Sequence, residues 1–172
     1  MLLDLLDHEH VETILEIGTF LGGTAMVWAS VVSINSGKVI CVDLPIEGKR
    51  QFEGGKWERY ISGVWGNSHT SEIVNRVEQV LNGQLADFLF IDGDHSYEGV
   101  KQDFEKFSPF VKSKGLIGFH DIRDTEFHRN LPPPDGPVEV CKFWDEIKDK
   151  YEHWELLDPT DATYMGIGVI RL

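Results

Sequence analysis

The chain has 172 residues, of which 41% are hydrophobic and 11% aromatic, and its formal net charge is −13. This length and composition predict one folded domain, residues 1–172, that needs no disulfide or metal to fold. No apolar run approaches the roughly 20 residues of a membrane-spanning helix. The acidic balance excludes nucleic acid and anionic membranes as expected partners, because both require a basic surface.

Two cysteines, Cys41 and Cys141, each lie within an apolar run, so we expect buried free thiols rather than a disulfide. The first ten residues, MLLDLLDHEH, lack the basic segment and the cleavage site of a secretory signal. These observations predict a cytoplasmic protein.

Short apolar runs alternate with helical periodicity along the chain, which is typical of an α/β fold with a doubly wound sheet. The predicted elements are, in chain order, a short helix over 2–9, a strand over 13–17, a turn over 18–23, a helix over 24–33, a strand over 38–42, a loop over 45–59 with at most one helical turn, a weak strand over 60–66, a helix that begins after Ser68 or Thr70 and ends near Leu81, a strand over 87–91, a helix over 98–107, a strand over 115–119, a loop over 129–137, a helix over 138–150, and strands over 154–157 and 166–172 that could form a hairpin.

A glycine-containing turn follows the first strand, in the segment EIGTFLGGT. Glycine allows positive φ angles and lets a ligand approach the backbone, although a plain tight turn would have the same composition. The dinucleotide fingerprint G-x-G-x-x-G is not met because position 20 is Phe, and no Gly-Lys-Ser/Thr follows as in a P-loop. The turn therefore indicates neither a nicotinamide nor a simple phosphate ligand.

Asp43 ends the second strand, 25 residues after Gly18. A carboxylate at this place can accept hydrogen bonds from both hydroxyls of a ribose. The alternative is a carboxylate that caps a turn. Together with the glycine turn, Asp43 predicts a cofactor that contains a nucleoside.

Five segments of the chain resemble one known family: EIGTFLGGTA, VICVD, GNS, FLFIDGDHSYEGVKQDF and GLIGFHDI. They are similar to the class I S-adenosylmethionine-dependent methyltransferases, and most of all to the small group that includes macrocin-type sugar O-methyltransferases and cephalosporin-hydroxylase-like proteins. The resemblance spans residues 12–172. It implies a Rossmann-like sheet of seven strands, mostly parallel, with the last strand antiparallel.

The resemblance also implies which residues bind S-adenosyl-L-methionine. Glu16 and the glycine turn would line its methionine and ribose part, Asp43 would hold the ribose, Asn67 and Ser68 would lie beside the adenine, and Asp92 would face the methyl group. The implied set is Glu16, Gly18, Thr19, Phe20, Gly22, Gly23, Thr24, Asp43, Asn67, Ser68 and Asp92.

Acidic and imidazole groups follow the next two strands of the sheet, in the segments DGDHSY and HDI. Such groups can hold a divalent ion that acidifies a substrate hydroxyl. The resemblance implies Asp92, His120 and Asp121 as metal ligands and Asp94 as the base. Histidine is unusual for magnesium and suits manganese or iron better, and His95 or His120 could instead be the base. Two simpler interpretations are a His95 that is hydrogen-bonded within its turn and an Asp121 that caps the following segment.

These observations favour an O-methyltransferase that acts on a small-molecule hydroxyl of a sugar, polyol or natural product. Two alternatives remain open, a cephalosporin-hydroxylase-like enzyme on the same scaffold and a cofactor-binding protein without catalysis. Members of the resembled group carry helices before the first strand that cover the cofactor, and about ten residues precede it here, so a homodimer could cover the site. The other histidines show no ligand spacing and are expected at the surface or in caps: His8, His10, His69, His128 and His153.

Overall fold

The architecture is a seven-stranded sheet with helices on both faces, seen in a computed structural model that describes residues 2–131, 136–158, 160 and 166–172. The helices are α1 (Leu2–His8), α2 (Gly23–Val32), α3 (Ser71–Leu81), α4 (Tyr97–Phe107), α5 (Glu126–Arg129) and α6 (Val140–Ile147). The strands are β1 (Thr13–Ile17), β2 (Lys38–Asp43), β3 (Ile61–Trp65), β4 (Ala86–Ile91), β5 (Val111–His120), β6 (Glu152–Leu156) and β7 (Ile167–Arg171). Short 3₁₀ turns cover Ser33–Asn35, Glu58–Tyr60, Ser108–Phe110 and Lys148–Lys150.

The strand order is β3-β2-β1-β4-β5-β7-β6. Neighbouring strands from β3 to β5 pair in parallel, and β7 runs antiparallel to both β5 and β6. This confirms the predicted fold and the predicted C-terminal hairpin. The chain order reverses at β1, which lies between β2 and β4, so the ends of β1 and β4 border the crevice where open α/β sheets bind ligands.

Both faces of the sheet are covered by apolar side chains, which explains why its central strands read as continuous apolar runs. All five residues of β1 are buried. On one face, α3, α4 and α6 pack over residues such as Leu89 and Phe119. On the other face, α1 and α2 pack over residues such as Val39 and Phe88. Burying each such large side chain contributes about 1.5–3 kcal/mol and fixes the rigid frame from which the loops project.

Most predicted elements are found within a few residues of their predicted bounds. Thr70 is the cap of α3, since its side chain accepts the N–H of Ile73. Strand β5 begins at Val111, four residues before the predicted start. The prediction missed this part of the strand because residues 112–114 are polar and exposed and therefore show no apolar pattern. Helix α6 begins at Val140, two residues later than predicted, and its predicted end over 148–150 is a 3₁₀ turn. Part of the predicted loop over 129–137, residues 132–135, lies outside the described residues.

Both cysteines are buried and free, as predicted. Trp57, Tyr60 and Trp65 pack against the apolar cluster beside α2. Among the described helices, none is both long and apolar enough to cross a membrane.

Candidate functional site

A cavity of about 740 Å³ opens at the carboxyl ends of β1 to β4, at the switch point of the sheet. Its volume is within the range of cavities that bind drug-sized ligands. The wall residues come from four loops: Ile17, Gly18, Thr19, Phe20, Leu21, Gly23, Thr24, Val42, Asp43, Leu44, Gln51, Gly66, Asn67, Ser68, His69, Asp92, Gly93 and Asp94. Residues scattered over more than seventy positions of the sequence therefore share one cavity, among them Gly18, Asp43 and Asp92 but not Asp121.

Gly18 lies in the cavity wall, directly after β1 and against the backbone that follows β4. Its φ is +89°, and a Cβ built on it would lie 2.0 Å from the carbonyl oxygen of Asp92. Gly22, also predicted to contact the cofactor, is not one of the wall residues. Its φ is +88° and its missing Cβ leaves room for the ring of Phe52, so its glycine is needed for packing behind the turn.

Asp43 holds the glycine turn in place from the end of β2. Its Oδ2 accepts the backbone N–H groups of Thr19, at 2.9 Å, and Phe20, and its Oδ1 accepts that of Leu44 at 2.6 Å. A carboxylate offers about four acceptor positions, so Oδ1 keeps capacity for a further donor from the cavity. Asp43 therefore performs the turn-capping role that the sequence offered as an alternative, and it also lies in the cavity wall where the ribose contact was predicted.

Glu16 lies behind the turn and does not line the cavity, which corrects the prediction of a direct cofactor contact. Its side chain is fully buried and accepts hydrogen bonds from Thr19 Oγ1 at 2.7 Å, Trp28 Nε1 at 2.8 Å and Cys41 Sγ at 3.4 Å. Burial raises the pKa of Glu16 to about 7 despite these bonds. The role of Glu16 is to connect the turn to α2 and β2.

The loop after β3 forms another part of the wall through Asn67, Ser68 and His69. Asn67 Oδ1 accepts the N–H of His69 at 2.8 Å, which fixes the loop. Sequence analysis missed His69 as a wall residue, and it also missed Asp103 of α4, whose Oδ1 lies 3.3 Å from His69 Nε2. Asp103 is fully buried, and burial raises its pKa to about 6. The recurrence of apolar residues in α4 gave no sign that a charged group would face inward.

Next to Asp92, at one end of the cavity, three atoms that could bind a metal ion lie close together. Asp92 Oδ1 lies 3.0 Å from His95 Nε2 and 3.1 Å from His120 Nδ1. Among the described residues, Asp92, His95 and His120 each offer one possible ligand atom, and these three atoms lie within 4.8 Å of one another. The family resemblance implied Asp92, His120 and Asp121 as metal ligands, whereas the group found here contains His95 in place of Asp121.

Asp121 lies immediately behind this group. Its side chain is about 91% buried, with Oδ1 3.2 Å from His120 Nδ1 and Oδ2 3.6 Å from His95 Nδ1. His128, predicted to be at the surface or in a cap, is buried and lies on the far side, with Nε2 3.8 Å from Asp121 Oδ1. The short helix α5 that carries His128 was not predicted, because four residues show no periodicity.

The two histidines are strongly coupled to the carboxylates around them. Burial opposes protonation of His120, but Asp121 and Asp92 outweigh it and raise the pKa of His120 to about 10. The hydrogen bond to Asp92 also raises the pKa of His95. Burial would raise the pKa of Asp92, yet the imidazoles hold it below its usual value. Because a general base must be unprotonated at neutral pH, this setting does not favour His120 as the base.

Asp94, the remaining predicted catalytic residue, lies in the cavity wall. Its Oδ1 accepts the N–H of Ser96 at 2.9 Å at the start of α4, and its side chain fills the space above Gly99. Asp94 is thus a carboxylate of the wall that is held by the helix behind it.

An open α/β sheet with a cavity at its switch point and an acidic residue after the second strand is typical of domains that bind nucleoside cofactors. The chain belongs to the methyltransferase domain family, whose family model matches residues 15–122. It is 30% identical over 129 residues to the uncharacterized protein R132 of Acanthamoeba polyphaga mimivirus, a match that covers 70% of this chain and 56% of the viral protein. The matched part thus spans little more than half of that relative.

Solved structures share the fold over nearly the whole chain. A putative caffeoyl-CoA O-methyltransferase from Staphylococcus aureus matches with a TM-score of 0.73 and 22% identity, over 99% of this chain and 80% of that protein. An O-methyltransferase from Bacillus cereus in complex with SAH matches with a TM-score of 0.73 and 18% identity, over 99% of this chain and 79% of that protein. At these identities the matches establish a common fold.

Proposed function

We propose that the protein transfers the methyl group of S-adenosylmethionine to a hydroxyl group of a small molecule such as a sugar, polyol or natural product. The observation that carries this proposal is the cavity that Gly18 and Asp43 share with Asp92. The SAH complex of the related Bacillus cereus fold supports the choice of cofactor.

In this reaction the acceptor oxygen forms a bond to the methyl carbon while the bond between that carbon and sulfur breaks. The hydroxyl proton passes to a base, and sulfur leaves as the neutral thioether of S-adenosylhomocysteine. The sulfonium is already activated, so the protein must align the acceptor and remove one proton.

The residues of the wall divide this work. Asp43 and the turn Gly18–Phe20 hold the ribose and the methionine part, while Asn67, Ser68 and His69 border the adenine. Asp92 lies at the acceptor end of the wall, and Asp94 is the base that we propose, since it is a carboxylate of the cavity wall while His95 and His120 are held by Asp92 and Asp121.

A divalent ion near Asp92 is part of the proposal. Such an ion would lower the pKa of an acceptor hydroxyl by acting as a Lewis acid. A homodimer and a cytoplasmic location complete the proposed description.

The cofactor assignment is tested by calorimetric titration of the full chain with S-adenosylhomocysteine. We expect Asp43→Ala to weaken binding about 10- to 100-fold, because it removes a charged acceptor and releases the turn. Asp149→Ala removes an exposed carboxylate outside the cavity wall and is the matched control. Absence of binding by the wild-type chain would contradict the proposal.

Transfer is tested with methyl-labelled S-adenosylmethionine and a panel of sugars and polyols. Labelled product is expected from at least one hydroxylated acceptor, and none from its deoxy analogue. Tight cofactor binding without transfer to any acceptor would favour the cofactor-binding protein without catalysis.

A further inference from the structure

We infer that Asp92, His95 and His120 form a binding site for a first-row transition-metal dication, in preference to magnesium. The inference rests on the divalent ion of the proposed function and specifies its ligands and its chemical class. It does not depend on methyl transfer, so the two can fail separately.

The spacing of the donor atoms fits a coordination sphere. Metal–ligand bonds to imidazole nitrogen and carboxylate oxygen are about 2.0–2.2 Å long, which places ligands at right angles about 3 Å apart. Asp92 Oδ1 lies 3.0 Å from His95 Nε2 and 3.1 Å from His120 Nδ1. All three ligand atoms lie within 4.8 Å of one another, so one ion can be shared by Asp92, His95 and His120.

The group is not satisfied by its own contacts. Among the described residues, His120 Nδ1 and Asp121 Oδ1 are buried atoms without a hydrogen-bond partner, although they lie only 3.2 Å apart. Buried polar atoms are nearly always paired in native proteins, and an unpaired one often marks a site for an ion. The Asp121 side chain, about nine-tenths buried, points at the histidine nitrogens and provides negative charge that a cation would neutralise.

A second ring of residues has the arrangement that orients metal-bound imidazoles. His95 directs Nε2 towards Asp92 and Nδ1 towards Asp121, whose Oδ2 is 3.6 Å away. A carboxylate behind a ligating histidine fixes its tautomer and its ring orientation. His128 supports Asp121 from behind, and its Nδ1 is in turn held 3.1 Å from the carbonyl oxygen of Arg123.

The chemical type of the three ligand atoms determines which metal ions the site prefers. Magnesium prefers octahedral oxygen ligands and usually keeps several waters, whereas two imidazole nitrogens and one carboxylate oxygen suit iron, manganese, cobalt or zinc. The residues therefore do not fit magnesium. Asp92 also lines the cavity, so an ion held by this group lies at the cavity wall with open positions for a ligand from the cavity.

The experiment uses the full chain, stripped with a chelator and titrated with Co²⁺ as a spectroscopic probe. We expect one Co²⁺ per chain, with the visible absorption of a nitrogen-ligated ion, and displacement by Zn²⁺ but not by Mg²⁺ in large excess. Displacement by Mg²⁺ at comparable concentration, or no Co²⁺ bound at all, would overturn the inference.

Variants locate the ion. His95→Gln and His120→Gln should each weaken Co²⁺ binding by at least about 100-fold, and Asp121→Asn by about 10- to 100-fold, as for an orienting carboxylate. His8→Gln, which alters a histidine whose side chain is 86% exposed, should leave binding unchanged. A thermal unfolding transition for each variant checks that it is folded, and unchanged Co²⁺ binding in folded His95→Gln and His120→Gln would refute the assigned ligands.

Titration of the same samples with S-adenosylhomocysteine separates this inference from the proposed function. Cofactor binding without Co²⁺ binding would overturn the metal site alone. Co²⁺ binding without cofactor binding would overturn the methyltransferase proposal and keep the metal site.

Discussion

Two regions adjoin the cavity, a first half at the ends of β1 and β2 and a second half at the ends of β4 and β5, and their polar groups are satisfied in opposite ways. At the ends of β1 and β2, two carboxylates are hydrogen-bonded within the protein: Asp43 accepts three backbone N–H groups and Glu16 accepts three side-chain donors. Around β4 and β5, His120 Nδ1 and Asp121 Oδ1 are buried without such bonds among the described residues. The two carboxylates of the first half are therefore held by the protein's own hydrogen bonds, whereas the second half keeps buried polar atoms without such bonds.

This difference separates a half that its own hydrogen bonds hold in place, the frame, from a half in which buried polar atoms stay unpaired. A turn fixed by backbone donors presents a shape and costs little reorganisation when a ligand enters. A cluster with unpaired buried atoms carries a desolvation cost of roughly 1–3 kcal/mol per group that a bound ion or substrate would offset. The predictions below test the frame, from the largest effect to the smallest.

Gly18→Ala should disturb both halves, because Gly18 belongs to the first half and its added Cβ would lie 2.0 Å from the carbonyl oxygen of Asp92 in the second. The φ of +89° at this position also disfavours any residue with a Cβ. Left-handed strain and overpacking together predict a loss of about 2–5 kcal/mol in the free energy of unfolding. Urea denaturation measures it. Gly23→Ala, where nothing lies within 4 Å of the added Cβ, is the control and should be neutral or slightly stabilising. Equal stability of the two variants would contradict the close approach of the two halves.

Glu16→Gln should show how much the burial of the Glu16 carboxyl in the first half lowers the free energy of unfolding. The pKa of Glu16 is about 7 in the folded protein and 4.5 in the reference state, so between these pH values the folded chain binds more protons than the unfolded chain. The contribution of Glu16 to the free energy of unfolding therefore falls as the pH rises through this window. Glutamine does not titrate, so the variant should gain up to about 3 kcal/mol relative to wild type between about pH 4 and about pH 8. Chemical denaturation at several pH values measures this difference, and a difference that stays constant would refute the buried, titrating carboxyl.

Phe20→Gly should give the smallest effect. Phe20 lies in the cavity wall with a φ of +46° and a side chain that is 72% exposed. Glycine relieves the left-handed strain but costs unfolded-state entropy, so we expect a net gain of about 0.5–1 kcal/mol in the free energy of unfolding. Phe20→Ala keeps the strain and removes the ring, and it should show no such gain. Loss of S-adenosylhomocysteine affinity in both variants would show that the ring contacts the cofactor.

The first half could be predicted from sequence better than the second, because it is built from residues that are close together in the chain. The glycine turn and Asp43 belong to short contiguous motifs next to strands, so strand periodicity alone places them at the rim. Asp121 and His128 come together through a turn and a four-residue helix, and His69, in the loop before α3, meets Asp103 of α4 across 34 positions of the sequence. Such contacts depend on tertiary packing, which no local pattern encodes. Glu16 shows the same limit, since adjacency to the turn did not reveal that its carboxyl faces α2.

The outermost strand of the hairpin, β6, has one side with no neighbouring strand in the described sheet. Its exposed positions include Glu152, which is paired with Arg171, and Glu155, which is bound by Lys148. Charged side chains along an open border disfavour strand addition by a second chain, because pairing would bury or crowd them. The sequence of β6 thus protects the sheet from edge-to-edge aggregation at the border farthest from β3.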